Sequence, residues 1–488
     1  MTHQNAAPGL GPAVVETHCA TVFFVGDRAY KVKKPLDLGF VDFRTRESRR
    51  RACHQEIELN RRFAPDVYLG VAEVRAEDGP PCDWVVVMRR MPADRRLSAL
   101  LSIGEDVSDA VRAVARLLAV HHAGARRSPA IDEQGSPAAL RRRWRDNLDV
   151  LHEFRDSVLD ADLLDEIEDR ALRYVDGRHR LLAERIAAGR IRDGHGDLLA
   201  DDIFCLPDGP RVLDCLEFDA DLRAVDGLDD AACLTMDLER LGAADRAEQF
   251  LEWFCEFSGE SRVDSLIHHY IAYRAGVRLK VACLRWAQGD DASADTVQHL
   301  AELAVAHLRT AEPRLILIGG SPGTGKSTVA GGLADRLGGV LIRSDRLRKE
   351  RAGLAPEQSA EAPWKTGLYT PEGTEKTYQE MTSRAAELLG RGETVVLDAS
   401  WSDAAARQRA RDVASAAYSL VSEIRCWAPI DVVDDRIARR RATSDASDAT
   451  SELARRMEQE FQPWPEAVEL STRPSPPETV RRGLELIL

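Results

Sequence analysis

The sequence predicts a chain in two parts: an α+β region of strands followed by helices, then an α/β domain built on a parallel sheet. Three observations carry that prediction. The 488 residues exceed what one hydrophobic core usually serves, so two to four domains are expected. Before residue 313 the β-like runs are concentrated in residues 14–92, and the long remainder is mostly helical in pattern. After residue 313 short apolar runs alternate regularly with helical segments, which implies parallel strands joined by right-handed crossovers.

Residues 1–12, MTHQNAAPGLGP, have neither a basic start nor an apolar stretch and read as a flexible tail, not a secretory leader. Residues 13–92 form the first lobe. VVETHCATVFFVGDRAYKVKK reads as two strands joined by a Gly26-Asp27 turn, residues 44–63 carry a charged helical pattern, and WVVVMRRM (84–91) is a further strand ended by Pro92. Residues 93–311 form a helical lobe, interrupted by IRDGHGDLLADDIFCLPDGPRVLDCLEFD (191–219). There two short runs flank a PDGP turn, with Leu206 expected opposite Arg211 and Ile203 opposite Asp214. Glu312-Pro313 breaks the last helix and starts the domain 313–488. Strands are expected at 314–318, 340–344, 394–398 and 423–427, with helices at 326–337, 374–390, 402–416 and 431–441 between and after them.

Composition narrows the function classes. The chain is 44% hydrophobic and 30% charged, ordinary for a soluble globular enzyme. A net charge of −14 argues against a general nucleic-acid coat or a binder of anionic membranes. The absence of a long apolar run argues against a membrane span. Nine scattered cysteines without CxxC fit a reducing, cytoplasmic setting. Only eight of the 67 basic residues are lysines, a bias that Arg-rich codon usage explains. Lys31, Lys33 and Lys34 cluster, and Lys326 stands in a glycine-rich turn.

That turn, LILIGGSPGTGKST, matches G-x-x-x-x-G-K-[ST] through Gly320, Gly325, Lys326 and Ser327, with a strand before it and a helix after it. Gly320, Ser321, Gly323, Thr324, Gly325 and Thr328 supply a loop whose backbone N–H groups can curl around the phosphates of ATP, and the helix end favours the same anion. Lys326 brings a compact charge to the β- and γ-phosphates, and Ser327 a hydroxyl for Mg²⁺. Asp345 and Asp398 end the next two strands, on the side where such sheets bind ligands. Asp345 is placed to orient or deprotonate an acceptor hydroxyl, or alternatively to cap the helix after it. Arg348, one turn on, suits an anionic part of the acceptor, and Asp398 suits Mg²⁺ held through water. Arg436 and Arg440 share one helical face and either close over the phosphates or form a solvated charged face.

GGSPGTGKST, IRSDRLRKE, VVLDASW and the arginines after 435 resemble the small P-loop kinases, a group of AAA-family ATPases that includes gluconate kinase, polynucleotide kinase and zeta-toxin-like enzymes. The resemblance implies phosphoryl transfer with Asp345 serving the acceptor and lid arginines covering ATP. It leaves the acceptor open.

HisGlyAsp (195–197), the hairpin and the carboxylate after it bring Asp197, Asp202 and Asp214 toward one end, where a cation would relieve their repulsion. Lys31 and Lys33 alternate onto one strand face. This pattern resembles the aminoglycoside phosphotransferase group and implies a protein-kinase-like bilobal fold. By that resemblance Asp197 is the catalytic base and Asp214 binds Mg²⁺, with Glu217 a rival for the metal. Lys33 serves the ATP phosphates, oriented by Glu56. Residues 88–91 are the hinge, and the pair Asp226 and Asp230 ties the catalytic loop down. Asp202 stands where the group has Asn, which puts transfer by this part in question. Arg274, Arg278 and Lys280 form a basic stretch suited either to an anionic acceptor or to plain helix packing.

The whole arrangement resembles a bacterial two-domain group in which an aminoglycoside-phosphotransferase-like domain is fused to a P-loop domain. The expected function is an ATP- and Mg²⁺-dependent kinase acting on a small-molecule hydroxyl, the P-loop domain being the catalyst and the first domain a second nucleotide or acceptor site. Two alternatives stay open: an ATP-sensing protein with an impaired kinase-like domain, and a polynucleotide 5′-hydroxyl kinase.

Overall fold

The computed structural model describes residues 13–16, 19–36, 42–75, 79–355, 366, 369–441 and 451–487, the side chains of 440 and 441 excepted. The expected tail 1–12 lies outside the described residues. The chain divides into two compact units, one of Met1–Ala171 with Leu182–Thr310, the other of Leu172–Leu181 with Ala311–Leu488.

The first unit opens with an antiparallel sheet of β1 (Ala13–Glu16), β2 (Ala20–Val25), β3 (Arg28–Lys33), β4 (Tyr68–Arg75) and β5 (Pro81–Arg89), in the order β1-β2-β3-β5-β4. β2 and β3 turn at Gly26-Asp27 as the sequence predicts. The run expected as one strand before that turn is two, β1 and β2. β4 is a strand that its sequence hides, because most of its residues are exposed and its edge position rewards no apolar alternation. Helix Arg46–Asn60, N-capped by Thr45 through Ser48 N (3.1 Å), lays Cys53 and Ile57 in one apolar cluster with Val86 of β5. Its buried Glu56 is thereby held in the unit's interior.

Helices including Ser108–Gly124, Pro137–His152, Gly227–Arg240 and Asp264–Ala287 make the second lobe. Between them β6 (Ile191–Asp193) pairs with β9 (Ala224–Asp226), and β7 (Ile203–Leu206) with β8 (Gly209–Val212). The β7–β8 register corrects the expected one. Leu206 faces Gly209 and Ile203 faces Val212, because the turn is only Pro207-Asp208, with Gly209 at a φ of +118°. Asp214 therefore lies beyond the ladder, at a φ of +61° that Asp tolerates better than most residues.

The second unit is a five-stranded parallel sheet of β10 (Arg314–Gly319), β11 (Val340–Arg343), β12 (Val395–Asp398), β13 (Leu420–Trp427) and β14 (Val468–Ser471), ordered β11-β12-β10-β13-β14. β10 is apolar at every buried position because both faces are covered. Leu315 and Leu317 pack with Trp401, Met381 and Ala410, while Ile316 and Ile318 pack with Val329, Leu333 and Ile424. β14 and helices Ser451–Gln459 and Pro476–Glu485 complete the unit, and the sequence pattern did not predict them.

The segment Leu172–Leu181 reaches this unit from far upstream in the chain. Its Arg178 is fully buried, donating from Nη1 to the carbonyls of Gly177 (2.8 Å) and Ala417 (2.9 Å) and from Nη2 to Ser419 Oγ (3.0 Å). Burial pushes its pKa down, yet a guanidinium paired with neutral acceptors stays charged. Replacing Arg178 by Ala is expected to leave buried acceptors unpaired and a void, destabilising the unit by about 2–4 kcal/mol in urea denaturation of the full chain.

Candidate functional site

The turn between β10 and helix Lys326–Leu337 closes on glycine for a steric reason. Gly320 sits at a φ of +133°, and a Cβ there would lie 2.4 Å from the Cys426 carbonyl oxygen. Gly323 and Gly325 are also at positive φ, +83° and +85°. The loop is braced from outside. Thr324 Oγ1 donates to Ser321 O (2.7 Å), Thr472 Oγ1 donates to Thr324 O (2.6 Å), and the Ser321 hydroxyl donates to Glu458. Lys326, Ser327 and Thr328 begin the helix, so its positive end faces the loop.

Arg436 reaches this loop. Its guanidinium donates to Thr472 Oγ1 (2.9 Å) and Thr472 O (2.6 Å), with Gly323 O at 3.4 Å. It is therefore not part of a solvated face: it ties the end of β14 to the P-loop. The side chain of Arg440 lies outside the described residues.

At the ends of β11 and β12 the predicted carboxylates gather around the same lysine. Asp398 is buried, with Ser327, Lys326, Arg343 and Asp345 as its polar and charged neighbours. Burial pushes its pKa up against the pull of Lys326. Arg343 Nε donates to its Oδ2 (3.2 Å), and Oδ1 is buried without a protein partner, so one oxygen is left to meet a further donor or a hydrated cation. That donor set, a hydroxyl and a half-satisfied carboxylate, fits Mg²⁺. Asp345 is not the helix cap: the helix starts at Ser344 with Arg343 at the cap position and no side-chain cap bond. Its Oδ1 instead accepts from Arg348 Nη1 (2.8 Å), whose guanidinium lies over the Tyr369 ring, 4.5 Å from its centroid.

Lys326, Asp345 and Arg348 line one cavity of about 370 Å³. Tyr378, Ser400, Ser402, Glu375, Asp403 and Gln462 belong to its polar wall, and sequence reasoning did not single out any of the six. They come from three segments far apart in the chain, so no local pattern marks them.

In the first unit the strand face of Lys31 and Lys33 meets carboxylates. Lys33, only 1% exposed, lies 2.6 Å from Glu56 and 2.5 Å from Glu217; Lys31 lies 2.9 Å from Glu56 and 2.6 Å from Asp214. Lys34 is on the other face, paired with Glu16 at 3.1 Å. Burial alone would discharge the two buried lysines, but the carboxylates hold both pKa values above the ordinary lysine range. Lys31 holds the Asp214 carboxyl down to about 2. Glu56 thus bridges two lysines rather than orienting Lys33 alone.

Asp197 is engaged by Arg278 from helix Asp264–Ala287. Arg274 is spent on Asp229 (2.7 Å) and Gly196 O (2.6 Å), and Lys280 on Asn147 (2.5 Å). The basic stretch 274–280 is therefore committed to internal partners, which favours the helix-packing alternative over a lining for an anionic acceptor. Asp202 feels burial first, then Asp214 and Asp197, and its carboxyl is pushed well above the usual range. Among the described residues no three acidic, His or Cys side chains are disposed to hold a metal ion. The convergence of Asp197, Asp202 and Asp214 is thus electrostatic: Asp197 is turned to a cation of the helix and Asp214 to one of β3, so no shared oxygen cage forms. Asp230, fully buried, accepts from His195 N (2.7 Å) and Gly196 N (2.8 Å), with His122 Nε2 2.9 Å away. Gly194 must be glycine for this, since a Cβ would lie 2.5 Å from the same carboxylate.

A P-loop kinase fold joined to a protein-kinase-like fold is the class that these elements define. A family model described as an AAA domain matches residues 315–464. The chain belongs to the family of the mycobacterial protein named "Uncharacterized protein Rv2004c", from Mycobacterium tuberculosis (strain ATCC 25618 / H37Rv). The two are 45% identical over 442 residues, which is 90% of this chain and 88% of that protein. Among solved structures, a gluconokinase from Sinorhizobium meliloti 1021 aligns at 18% identity and a TM-score of 0.27, over 36% of this chain and 90% of that one. A choline/ethanolamine kinase family protein from Mesorhizobium loti aligns at 15% identity and a TM-score of 0.39, over 62% and 93%. No helix among the described residues is long and apolar enough to cross a membrane.

The Asp230 cluster makes the first unit acid-sensitive in a defined sense. Burial alone would raise the Asp230 carboxyl, but His122 and the His195 amide hold it well below its ordinary value. A depressed acid contributes stability that is present above its unfolded value, near pH ~4, and lost as pH falls through the folded value. Asp230→Asn is expected to cost about 2–4 kcal/mol at neutral pH and to flatten the stability profile below about pH 4, read by denaturant unfolding at a series of pH values.

Proposed function

We propose that the chain is an ATP-dependent kinase whose C-terminal unit transfers the γ-phosphoryl group to a hydroxyl of a neutral, polyhydroxylated small molecule. The observation that carries this reading is that Lys326 and Asp345 line one cavity of sugar-accommodating size, about 370 Å³. Gly320 N is spent on Ser400 O (3.0 Å), Thr324 N on Ser321 O (3.3 Å) and Thr328 N on Gly325 O (3.2 Å), so Ser321, Gly323 and Gly325 are the loop residues that present backbone N–H groups to the phosphates, and Lys326 neutralises charge on the β- and γ-phosphates. Asp345 accepts the proton of the attacking hydroxyl as its oxygen bonds to the γ-phosphorus and the bond to the β-phosphate oxygen breaks, leaving ADP. Arg348 orients Asp345 and Arg436 keeps the loop closed. Ser327 and Asp398 are the groups that would hold Mg²⁺, which supplies charge neutralisation across the phosphates.

The wall of the cavity supports a neutral acceptor over an anionic one. Its cations are Lys326, committed to phosphate, and Arg348, paired with Asp345, whereas Asp403 and Glu460 add carboxylates to the wall and Glu375, also in the wall, is paired with Arg409 (2.9 Å). An anionic acceptor would meet more negative than positive charge, while the hydroxyls of a polyol can satisfy carboxylates and serines.

The first unit suits nucleotide binding without transfer, a sensing role. What favours this is that Asp197 is engaged by Arg278 and Asp214 by Lys31, so both groups that transfer requires start neutralised.

A panel of polyols, aldoses and sugar acids offered to the full chain with Mg²⁺ and ATP, read by ADP release and product mass, tests the main reading. Neutral polyols or aldoses are expected to turn over and sugar acids to be poor. Lys326→Ala is expected to lower the rate by roughly 10²-fold or more. Turnover of sugar acids alone would remove the acceptor assignment, and an undiminished rate in Lys326→Ala would remove the P-loop as catalyst.

A further inference from the structure

One concavity of the first unit lies away from the lysine–carboxylate cluster, on the outer face of helix Arg46–Asn60. Its volume is about 930 Å³. The helix turns Cys53, Glu56 and Asn60 inward, and its opposite face presents Arg50, Arg51 and His54 to the groove. The facing wall carries Arg126, just beyond helix Ser108–Gly124.

The floor is the start of the loop that bears His195, Gly196 and Asp197. Two guanidinium groups share one carboxylate there: Arg62 Nη1 donates to Asp193 Oδ2 (3.1 Å) and Arg223 Nε to Asp193 Oδ1 (2.5 Å). Arg62 also reaches Gly194 O (3.3 Å). His121 Nε2 lies 3.0 Å from Asp193 O, and burial, then the charge of Arg62, presses its pKa down to about 4, so it adds hydrogen-bonding capacity rather than charge at neutral pH. Two cations against one anion leave the floor with a positive excess in a partly desolvated place.

The walls add to that excess. Arg50 is partly engaged, by Glu47 at 3.8 Å and by the face of Trp84. Among the described residues neither Arg51 nor Arg126 has a hydrogen bond or ion pair. Five arginines line the groove against Glu47, Glu58 and Asp193. The whole chain carries a net charge of −14, so this positive surface runs against the average of the molecule.

We infer that this groove is a second anion-binding site, for a small molecule bearing two or more phosphoryl groups. Guanidinium groups match phosphate oxygens in paired hydrogen bonds, and unengaged guanidinium groups on two walls call for more than one anionic group. The volume exceeds what a single inorganic phosphate fills. The floor gives the site a route to the kinase-like cluster: a ligand drawing Arg62 away from Asp193 and Gly194 alters the support of the 193–197 loop, whose next residues are fixed by Asp230.

Phenylglyoxal footprinting of the intact chain, with each arginine quantified by peptide mass spectrometry, tests this directly and reads the groove separately from the P-loop. The probe is pyrophosphate, with inorganic phosphate as the comparison and the exposed Arg285 of the same unit as the internal control. Pyrophosphate is expected to slow modification of both Arg51 and Arg126 by about fivefold or more at saturation, with Arg285 unchanged and inorganic phosphate much weaker. In Arg51→Ala/Arg126→Ala, whose substituted side chains are exposed, the protection of Arg50 is expected to be lost. Equal modification of Arg51 and Arg126 with and without pyrophosphate would overturn the inference. So would equal protection of Arg285, equal protection by inorganic phosphate, or undiminished protection of Arg50 in the double variant.

Discussion

The second unit depends on how closely its backbone passes over itself between β10 and the helix that follows. The loop can curl only because Gly320 leaves room for the Cys426 carbonyl and Gly319 for the Trp464 ring. Any Cβ at those positions meets an atom at 2.3–2.4 Å. From that closeness the other features follow. β13 must run beside β10, β14 must end just before Thr472 so that this residue braces Thr324, and Arg436 must lie across both. The helix start then has one direction in which to present Lys326 and Ser327, toward Asp345 and Asp398 at the ends of the neighbouring strands.

The first unit solves a different electrostatic problem. Its Lys31 and Lys33 are deeply buried, and a buried ammonium persists only with carboxylates at contact distance. Glu56 and Glu217 serve Lys33, Glu56 and Asp214 serve Lys31, and Arg278 answers Asp197. The cluster is self-compensated without a ligand. A nucleotide entering here has to replace existing ion pairs, whereas near Lys326 one carboxylate oxygen, Asp398 Oδ1, is still without a protein partner. That contrast is the physical basis for assigning transfer to the P-loop unit.

How much of this the sequence revealed depends on the range of the interactions. The P-loop, the alternation after residue 313 and the shared face of Lys31 and Lys33 are local, set by glycine spacing, by period and by strand alternation, and the sequence reports them. The β7–β8 register was misread because PDGP can hold either a two- or a four-residue turn, and only the pairing distinguishes them. Asp202 and Asp214 still came together, since Leu213 N donates to Asp202 O (2.9 Å) at the same end. β4 and β14 lie at sheet edges, where no apolar alternation marks them, and the brace at Thr472 gains its meaning only from Thr324, 148 residues upstream. The two readings of Arg278, acceptor lining or helix packing, stay open in the sequence because its partner Asp197 is 81 residues upstream.

The claim that transfer belongs to the P-loop unit is tested most directly by comparing γ-phosphoryl transfer from labelled ATP in full-length Asp345→Asn and Asp197→Asn, side by side at saturating ATP and acceptor. The account predicts that Asp345→Asn loses at least roughly 10²-fold in kcat while still binding ATP, and that Asp197→Asn stays within a few-fold of the parent. The opposite pattern, with Asp197→Asn inactive and Asp345→Asn unaffected, would contradict it.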